Sequence, residues 1–260
     1  MKSSEDRTDG APDAIILAAG KGVRMGTEAP KVLLDVVDRP MIAWVVQACV
    51  AAGVDRCIVV VGHGGELVRS ALADQDCCFF VVQKELLGTA HAARMAESLF
   101  TDQPPRDVFV LAGDGPLIRP ATLQKLLKVH RDGDAAATLA TAVLDDPTGY
   151  GRIIRDDQGR FETIVEQKDA SERQRLIREV NPSYYCFRSD RLFAALTRVQ
   201  RANQQKEYYL TDVPALLQGE GHRVCVVDAV PPQDVLSINT AEQLKEVDAI
   251  LTQRRAGVCR

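Results

Sequence analysis

The stretch Ala14-Ile15-Ile16-Leu17-Ala18-Ala19-Gly20-Lys21-Gly22-Val23-Arg24-Met25-Gly26 decides how the rest of the chain is read. Its first four residues are uniformly apolar, which suits a strand buried on both faces. The strand runs straight into glycines at 20, 22 and 26. Glycine lets the backbone approach a ligand closely and reach positive φ, and successive N–H groups in such a loop can point at an anion. Lys21, Arg24 and Lys31 add fixed positive charge beside them. The loop therefore reads as a polyphosphate cradle. A dinucleotide-binding fingerprint would open directly into a helix, but Thr27-Glu28-Ala29-Pro30 interrupts one here. The Walker pattern is absent, because no Gly-Lys-Ser/Thr follows the required gap. From this loop alone, a glycine-rich turn with solvated basic residues stays open as the alternative.

Working outward, apolar runs predict strands at 14–17, 56–61, 78–82, 108–111 and 135–143, with helices over 40–52, 65–73, 89–100 and 121–130 between them. Strands alternating with helices imply an α/β domain with a mostly parallel sheet covered on both faces. The pattern changes after 144. A β-hairpin over 151–154 and 161–166, a polar helical stretch at 171–178, a strand at 184–187, helices at 190–199 and 210–218, a late strand at 223–227 and a closing helix at 240–254 make a mixed second half. The expected organisation is a flexible segment over 1–12 and one domain over 13–255, split into a first half (13–144) and a second (145–255).

Composition narrows the function. The chain has 260 residues, 46% hydrophobic and 26% charged, so a well-buried core is expected. A net charge of -4 with interspersed signs argues against a nucleic-acid or membrane-surface binder. No apolar run reaches the roughly 20 residues of a membrane span, and the polar N-terminus lacks the apolar core of a signal peptide. Seven scattered cysteines without a C-x-x-C pair fit reduced thiols in the cytoplasm, mostly as small buried hydrophobes. The four histidines are far apart, and no Cys/His spacing suits zinc.

The motif Leu17-Ala18-Ala19-Gly20-Lys21-Gly22-x-Arg24-Met25, followed by Pro30-Lys31-Val32-Leu33, resembles the opening of the sugar-nucleotide pyrophosphorylases. Further blocks continue the likeness in order: Leu87-Gly88-Thr89-Ala90-His91-Ala92, Gly113-Asp114-x-Pro116-Leu117, Asp146-Pro147-Thr148-Gly149-Tyr150-Gly151-Arg152-Ile153, Ile164-Val165-Glu166-x-Lys168-Asp169-Ala170, Glu207-Tyr208-Tyr209-Leu210-Thr211-Asp212 and Asn239. Over about residues 13 to 250 the chain is similar to the uridyltransferase domain of the bifunctional bacterial GlmU family. That resemblance implies a Rossmann-like, nucleotide-diphospho-sugar transferase fold. It also implies Mg²⁺-dependent transfer of a uridylyl group from UTP to N-acetylglucosamine 1-phosphate, as in a UDP-N-acetylglucosamine diphosphorylase.

Site roles follow from the same resemblance. Leu17, Ala18, Ala19, Gly20 and Gly22 would meet the nucleotide, and Gln83, Gly88 and Thr89 the base edge. Arg24 and Lys31 would hold the triphosphate and act in catalysis. Asp114 and Asn239 would bind Mg²⁺, and Gly151, Glu166, Asn181 and Thr211 the sugar. The residues themselves allow this. Mg²⁺ needs few protein oxygens and takes the rest from phosphates and water, so one carboxylate and one amide suffice. A phosphate monoester has a second pKa of about 6. The attacking sugar phosphate is therefore mostly dianionic at neutral pH, and no general base is required. Read alone, Asp114 could be a turn or cap residue, Asn239 the cap of the closing helix, and Glu166 a partner for Lys168. His91 falls on the first turn of a helix and is assigned no chemistry.

The chain departs from the family at three places. Leu86 stands where glutamine is common, which bears on strictness for UTP. Asn181-Pro182-Ser183 replaces Asn-Thr-Gly, which bears on the sugar: Pro182 fixes φ and Ser183 restricts a position where glycine is free. The sequence ends at Arg260 without a hexapeptide-repeat β-helix. Acetyltransferase activity is therefore not expected, and oligomeric state stays open. Two alternatives stand beside the uridylyltransferase: the same chemistry on another sugar 1-phosphate or nucleotide, and a non-catalytic regulatory protein that binds nucleotide or sugar nucleotide.

Overall fold

A computed structural model of the chain describes residues 10–20, 29–238 and 240–257. Most of the segment expected to be flexible lies outside those residues. Its last part is tied down: Arg131 Nη2 donates to Gly10 O at 2.6 Å and Arg106 Nη2 to Ala11 O at 2.9 Å.

The first half runs β1 (Asp13–Ala18), a two-strand ribbon of β2 (Asp35–Val36) and β3 (Arg39–Pro40), α1 (Met41–Ala51), β4 (Cys57–Val61), α2 (Gly65–Ala71), β5 (Cys78–Val82), α3 (Thr89–Arg94), β6 (Asp107–Ala112), α4 (Pro120–Asp132) and β7 (Ala137–Val143). The second runs β8 (Gly151–Arg155), β9 (Phe161–Val165), α5 (Glu172–Arg175), β10 (Glu179–Asn181), β11 (Tyr184–Arg188), α6 (Ser189–Leu196), α7 (Val213–Gly219), β12 (Val224–Asp228) and α8 (Ala241–Arg255). The strands form one ten-stranded sheet in the order β5-β4-β1-β6-β11-β7-β10-β8-β9, with β12 also paired to β7. The strands β5, β4, β1 and β6 are mutually parallel, and β11 turns antiparallel against β6.

The uniform apolar runs are explained by burial on both faces. Ile16, Val59, Val61 and Leu111 belong to one core, while Ile15, Ile58, Val60 and Val110 belong to the core on the opposite face. The amino end of the sheet is pinned by Asp13, whose side chain is fully buried against Arg56 at 2.6 Å and Arg106 at 3.4 Å. The chain leaves β1 toward β4 on one side and reaches β6 on the other. This opens a crevice at the carboxyl ends of β1 and β6, where ligands bind in open α/β sheets.

Several elements differ from expectation. The helix expected over 89–100 ends at Arg94, and a separate 3₁₀ turn covers Glu97–Leu99; nothing in the side chains explains the break. The helix expected over 210–218 is a 3₁₀ turn, Leu210–Asp212, followed by α7, because Pro214 has no N–H and fits only a first turn. The polar stretch 171–178 holds a single turn started by a Ser171–Gln174 capping box. The chain from β10 into β11 carries a bulge: Val180 pairs with Ala142 and Tyr185 with Leu139, so five steps match three along β7. The extra length is taken up at Pro182 and Ser183. Pro182 lacks a ladder donor, and Ser183 sits at φ 64°, so neither suits a regular strand.

Candidate active site

A cleft of about 530 Å³ opens at the carboxyl ends of β1 and β6, with walls from both halves of the chain. Leu17, Ala18, Ala19 and Gly20 form its floor where β1 ends, and Lys31 enters from the 3₁₀ turn Lys31–Leu33. Gln83, Gly88 and Thr89 line it from the β5–α3 loop, and Asp114 from the loop after β6. Glu166, after β9, and Thr211, in the 3₁₀ turn before α7, face them. Gly22, Arg24 and Asn239 lie outside the described residues. Gly151 and Asn181 do not line the cleft. A Cβ on Gly151 would lie 3.6 Å from Glu166 Oε2 and 3.7 Å from Asn181 Cβ. The Asn181 side chain is buried and donates to Tyr185 Oη at 2.6 Å. These two residues therefore stand one layer behind Glu166 and Tyr185.

At the cationic end, Lys31 Nζ meets Asp114 Oδ2 at 2.5 Å, and both side chains keep some exposure to the cleft. Asp114 is not a helix cap, since α4 begins at Pro120 after Arg119. The chain approaching residue 239 passes close by. The Tyr150 hydroxyl donates to Val235 O at 3.3 Å, and its pKa is raised by burial and also by the charge of Asp114. Ile238 and Val235 pack in the same core as Leu117 and Ile118, just beyond Asp114. Thr240 caps α8 in a capping box with Gln243, so that task does not fall to residue 239. Among the described residues no group of three or more His, Cys, Asp or Glu is placed to hold a metal. An ion at Asp114 would take most of its ligands from phosphate and water, as Mg²⁺ does.

The opposite end is acidic. Burial raises the Glu166 carboxyl above its ordinary value, with a nearby contribution from Asp169 and Asp212. Asp212 is pushed up to about 6, chiefly by burial and also by Asp169. Lys168 does not pair with Glu166; its Nζ reaches Gln205 Oε1 at 2.5 Å. Thr211 lines the cleft wall with its hydroxyl buried beside the Glu166 carboxyl, near enough to temper the rise that burial imposes on that carboxyl.

The β5–α3 loop is stitched to the segment opposite it. Tyr208 N donates to Leu87 O at 2.7 Å, Ala90 N to Tyr208 O at 2.9 Å and Leu210 N to Thr89 Oγ1 at 2.9 Å. Gly88 adopts φ 113°, and a Cβ there would collide with the Tyr208 backbone, so only glycine fits. Gln83 Nε2 contacts Gly88 O at 3.1 Å and His91 Nδ1 at 2.9 Å. Leu86 and Ser183, two of the departures, both line the cleft, as do Tyr185 and Glu207. Tyr185 escapes a sequence reading because it sits in an apolar strand, and only the bulge before it decides which way it faces.

A model of the MobA-like NTP transferase domain family matches residues 14–212. The bifunctional protein GlmU of Heliobacterium modesticaldum is 47% identical over 241 residues, which cover 93% of this chain and 52% of that protein. The same-named protein of Desulfotalea psychrophila is 44% identical, with 93% of this chain and 70% of that protein covered. The chain thus spans about half the length of most of these relatives. A solved structure of apo UDP-glucose pyrophosphorylase aligns at TM-score 0.77 with 18% identity, covering 94% of this chain and 99% of that one. It has the same fold, a mixed sheet with parallel core strands flanked by helices.

Proposed function

The chain belongs to the MobA-like NTP transferase domain family, and on that premise we propose that it is a Mg²⁺-dependent uridylyltransferase. It joins UTP to N-acetylglucosamine 1-phosphate and releases pyrophosphate and UDP-N-acetylglucosamine. One observation carries this reading. A single cleft brings the Leu17–Gly20 turn, Lys31 and Asp114 from the first half against Glu166 and Thr211 from the second. That is the layout needed to hold a nucleoside triphosphate and a sugar phosphate side by side.

Asp114 and Asn239 would hold Mg²⁺, with phosphates and water completing its shell. Bound there, the ion supplies charge stabilisation for the phosphoryl oxygens. Lys31, now paired with Asp114, turns to the triphosphate, and Arg24 joins it from the loop. Backbone at 17–20 and at Gly22 lies against the nucleoside, and Gln83, Gly88 and Thr89 meet the base. Glu166 and Thr211 offer hydrogen bonds to the sugar, while Gly151 and Asn181 support them from behind. The sugar phosphate oxygen attacks the α-phosphorus in line and pyrophosphate leaves. The attacking group arrives dianionic, so the residues act by positioning and charge. A cytoplasmic setting fits, since all six described cysteines are free.

A second reading, a different sugar 1-phosphate, is favoured by Ser183 at positive φ in the cleft wall. A pyrophosphate-release screen with Mg²⁺, crossing UTP, CTP and dTTP with several sugar 1-phosphates, tests both. The proposal requires UTP with N-acetylglucosamine 1-phosphate to be the best pair. A different best sugar selects the second reading, and tight nucleotide binding without turnover on any sugar rejects both.

A further inference from the structure

His91 was left without a task by the sequence, yet it holds one end of the Gln83 amide. Gly88 O can only accept a hydrogen bond, so the Gln83 atom facing it at 3.1 Å is the NH₂ nitrogen, Nε2. The same nitrogen lies 2.9 Å from His91 Nδ1. That ring nitrogen must therefore be the unprotonated acceptor, with the ring proton on Nε2. Both amide hydrogens are thereby committed inside the protein. Gln83 Oε1 meets no donor among the described residues and is not a sealed orphan, although Gln83 as a whole is only 3% exposed. It is the part of the amide left for a ligand in the cleft that Gln83 lines. Leu86, on the same wall, offers no hydrogen bond.

We propose that His91 is a positioning residue for base selection: its Nδ1, together with Gly88 O, locks the Gln83 amide so that an acceptor oxygen faces the base. The inference rests on the uridylyl reading above, in which Gln83 meets the base edge. A uracil ring presents an imide N3–H to that oxygen. Cytosine presents a lone pair at the same position and is repelled. Thr89, which also lines this wall, accepts from Leu210 N at 2.9 Å and is tied to the backbone. Selection of the base thus falls mainly on one amide whose orientation two acceptors fix.

The test compares kcat/KM for UTP and CTP in wild type, His91→Leu and His91→Asn, with N-acetylglucosamine 1-phosphate and Mg²⁺. Leucine keeps bulk but removes the acceptor, whereas the asparagine oxygen can stand where Nδ1 does. Losing one hydrogen bond of typical strength lowers the UTP-over-CTP ratio by roughly three- to tenfold in His91→Leu. The change appears in KM for UTP, with KM for the sugar phosphate unmoved. His91→Asn restores the ratio. An unchanged ratio in His91→Leu, or an equal loss in both variants, overturns the role of the acceptor. A wild type that uses CTP as well as UTP overturns the uridylyl reading itself, and this inference with it.

Discussion

In the proposed mechanism the chemistry turns on Lys31 and Asp114, which pair at 2.5 Å in the cleft wall. Replacing Asp114 by asparagine leaves an amide oxygen but removes the negative charge offered to the metal and to Lys31. Asp114→Asn is expected to cost turnover more than the roughly 10–100-fold typical of losing a partner in the outer shell of a metal site. Raised Mg²⁺ should restore part of it. A titration of rate against Mg²⁺ checks this, and an unshifted midpoint would remove Asp114 from the metal site. At the acidic end, Asp212 keeps its proton up to about 6 in the folded state against an ordinary 3.8. Between those values the folded protein holds the extra proton, so stability falls as pH rises and stays low above about 6. Asp212→Asn is neutral throughout and escapes that decline. Its melting temperature should gain on wild type between pH 4 and 7 and run parallel above. A difference that stays flat across that range would mean Asp212 is not held protonated.

Among the elements, the bulge between β10 and β11 matters most, because it sets which side chains of the second half reach the cleft. Ser183 occupies the left-handed region at φ 64° and is steadied by its N–H on Asn181 Oδ1 at 3.1 Å. A non-glycine residue there is disfavoured by roughly 1–2 kcal/mol, partly offset by the extra freedom glycine has when unfolded. Ser183→Gly is therefore expected to raise stability by up to about 1 kcal/mol, read from denaturant midpoints at constant slope. A loss of stability would show that the serine side chain contributes more than its backbone costs. The bulge also marks where the sequence stops being legible. Runs such as Ile58-Val59-Val60-Val61 declare a strand buried on both faces, so the parallel half could be read directly. The three residues of β10 and the two-residue strands β2 and β3 carry no period to read. A shift in register by Pro182 and Ser183 leaves no trace in hydrophobic alternation. That is why the sequence does not show which way Tyr185 faces, nor that Gly151 and Asn181 stand behind the cleft lining.

Across the whole molecule, a chain of net charge -4 places Lys31 beside Asp114 on one side of the cleft and Glu166 across from them. The sheet makes this possible by running from β5 to β9 without interruption, so both walls are set on one rigid frame. Short motifs made this corner of the cleft readable, because Gly20, Lys31 and Asp114 lie in local patterns that follow β1 and β6. The link between Gln83 and His91 was not readable, because both residues look ordinary until the β5–α3 loop folds Gly88 back between them. The most direct measurement is a crystal structure with UTP and Mg²⁺ bound. One ion should lie within roughly 2.1 Å of an Asp114 oxygen and of the Asn239 amide oxygen, with the α-phosphate on the same ion and the uracil against Gln83. Asp114 and Asn239 found too far apart to share an ion, or UTP bound outside this cleft, would contradict the mechanism at its root.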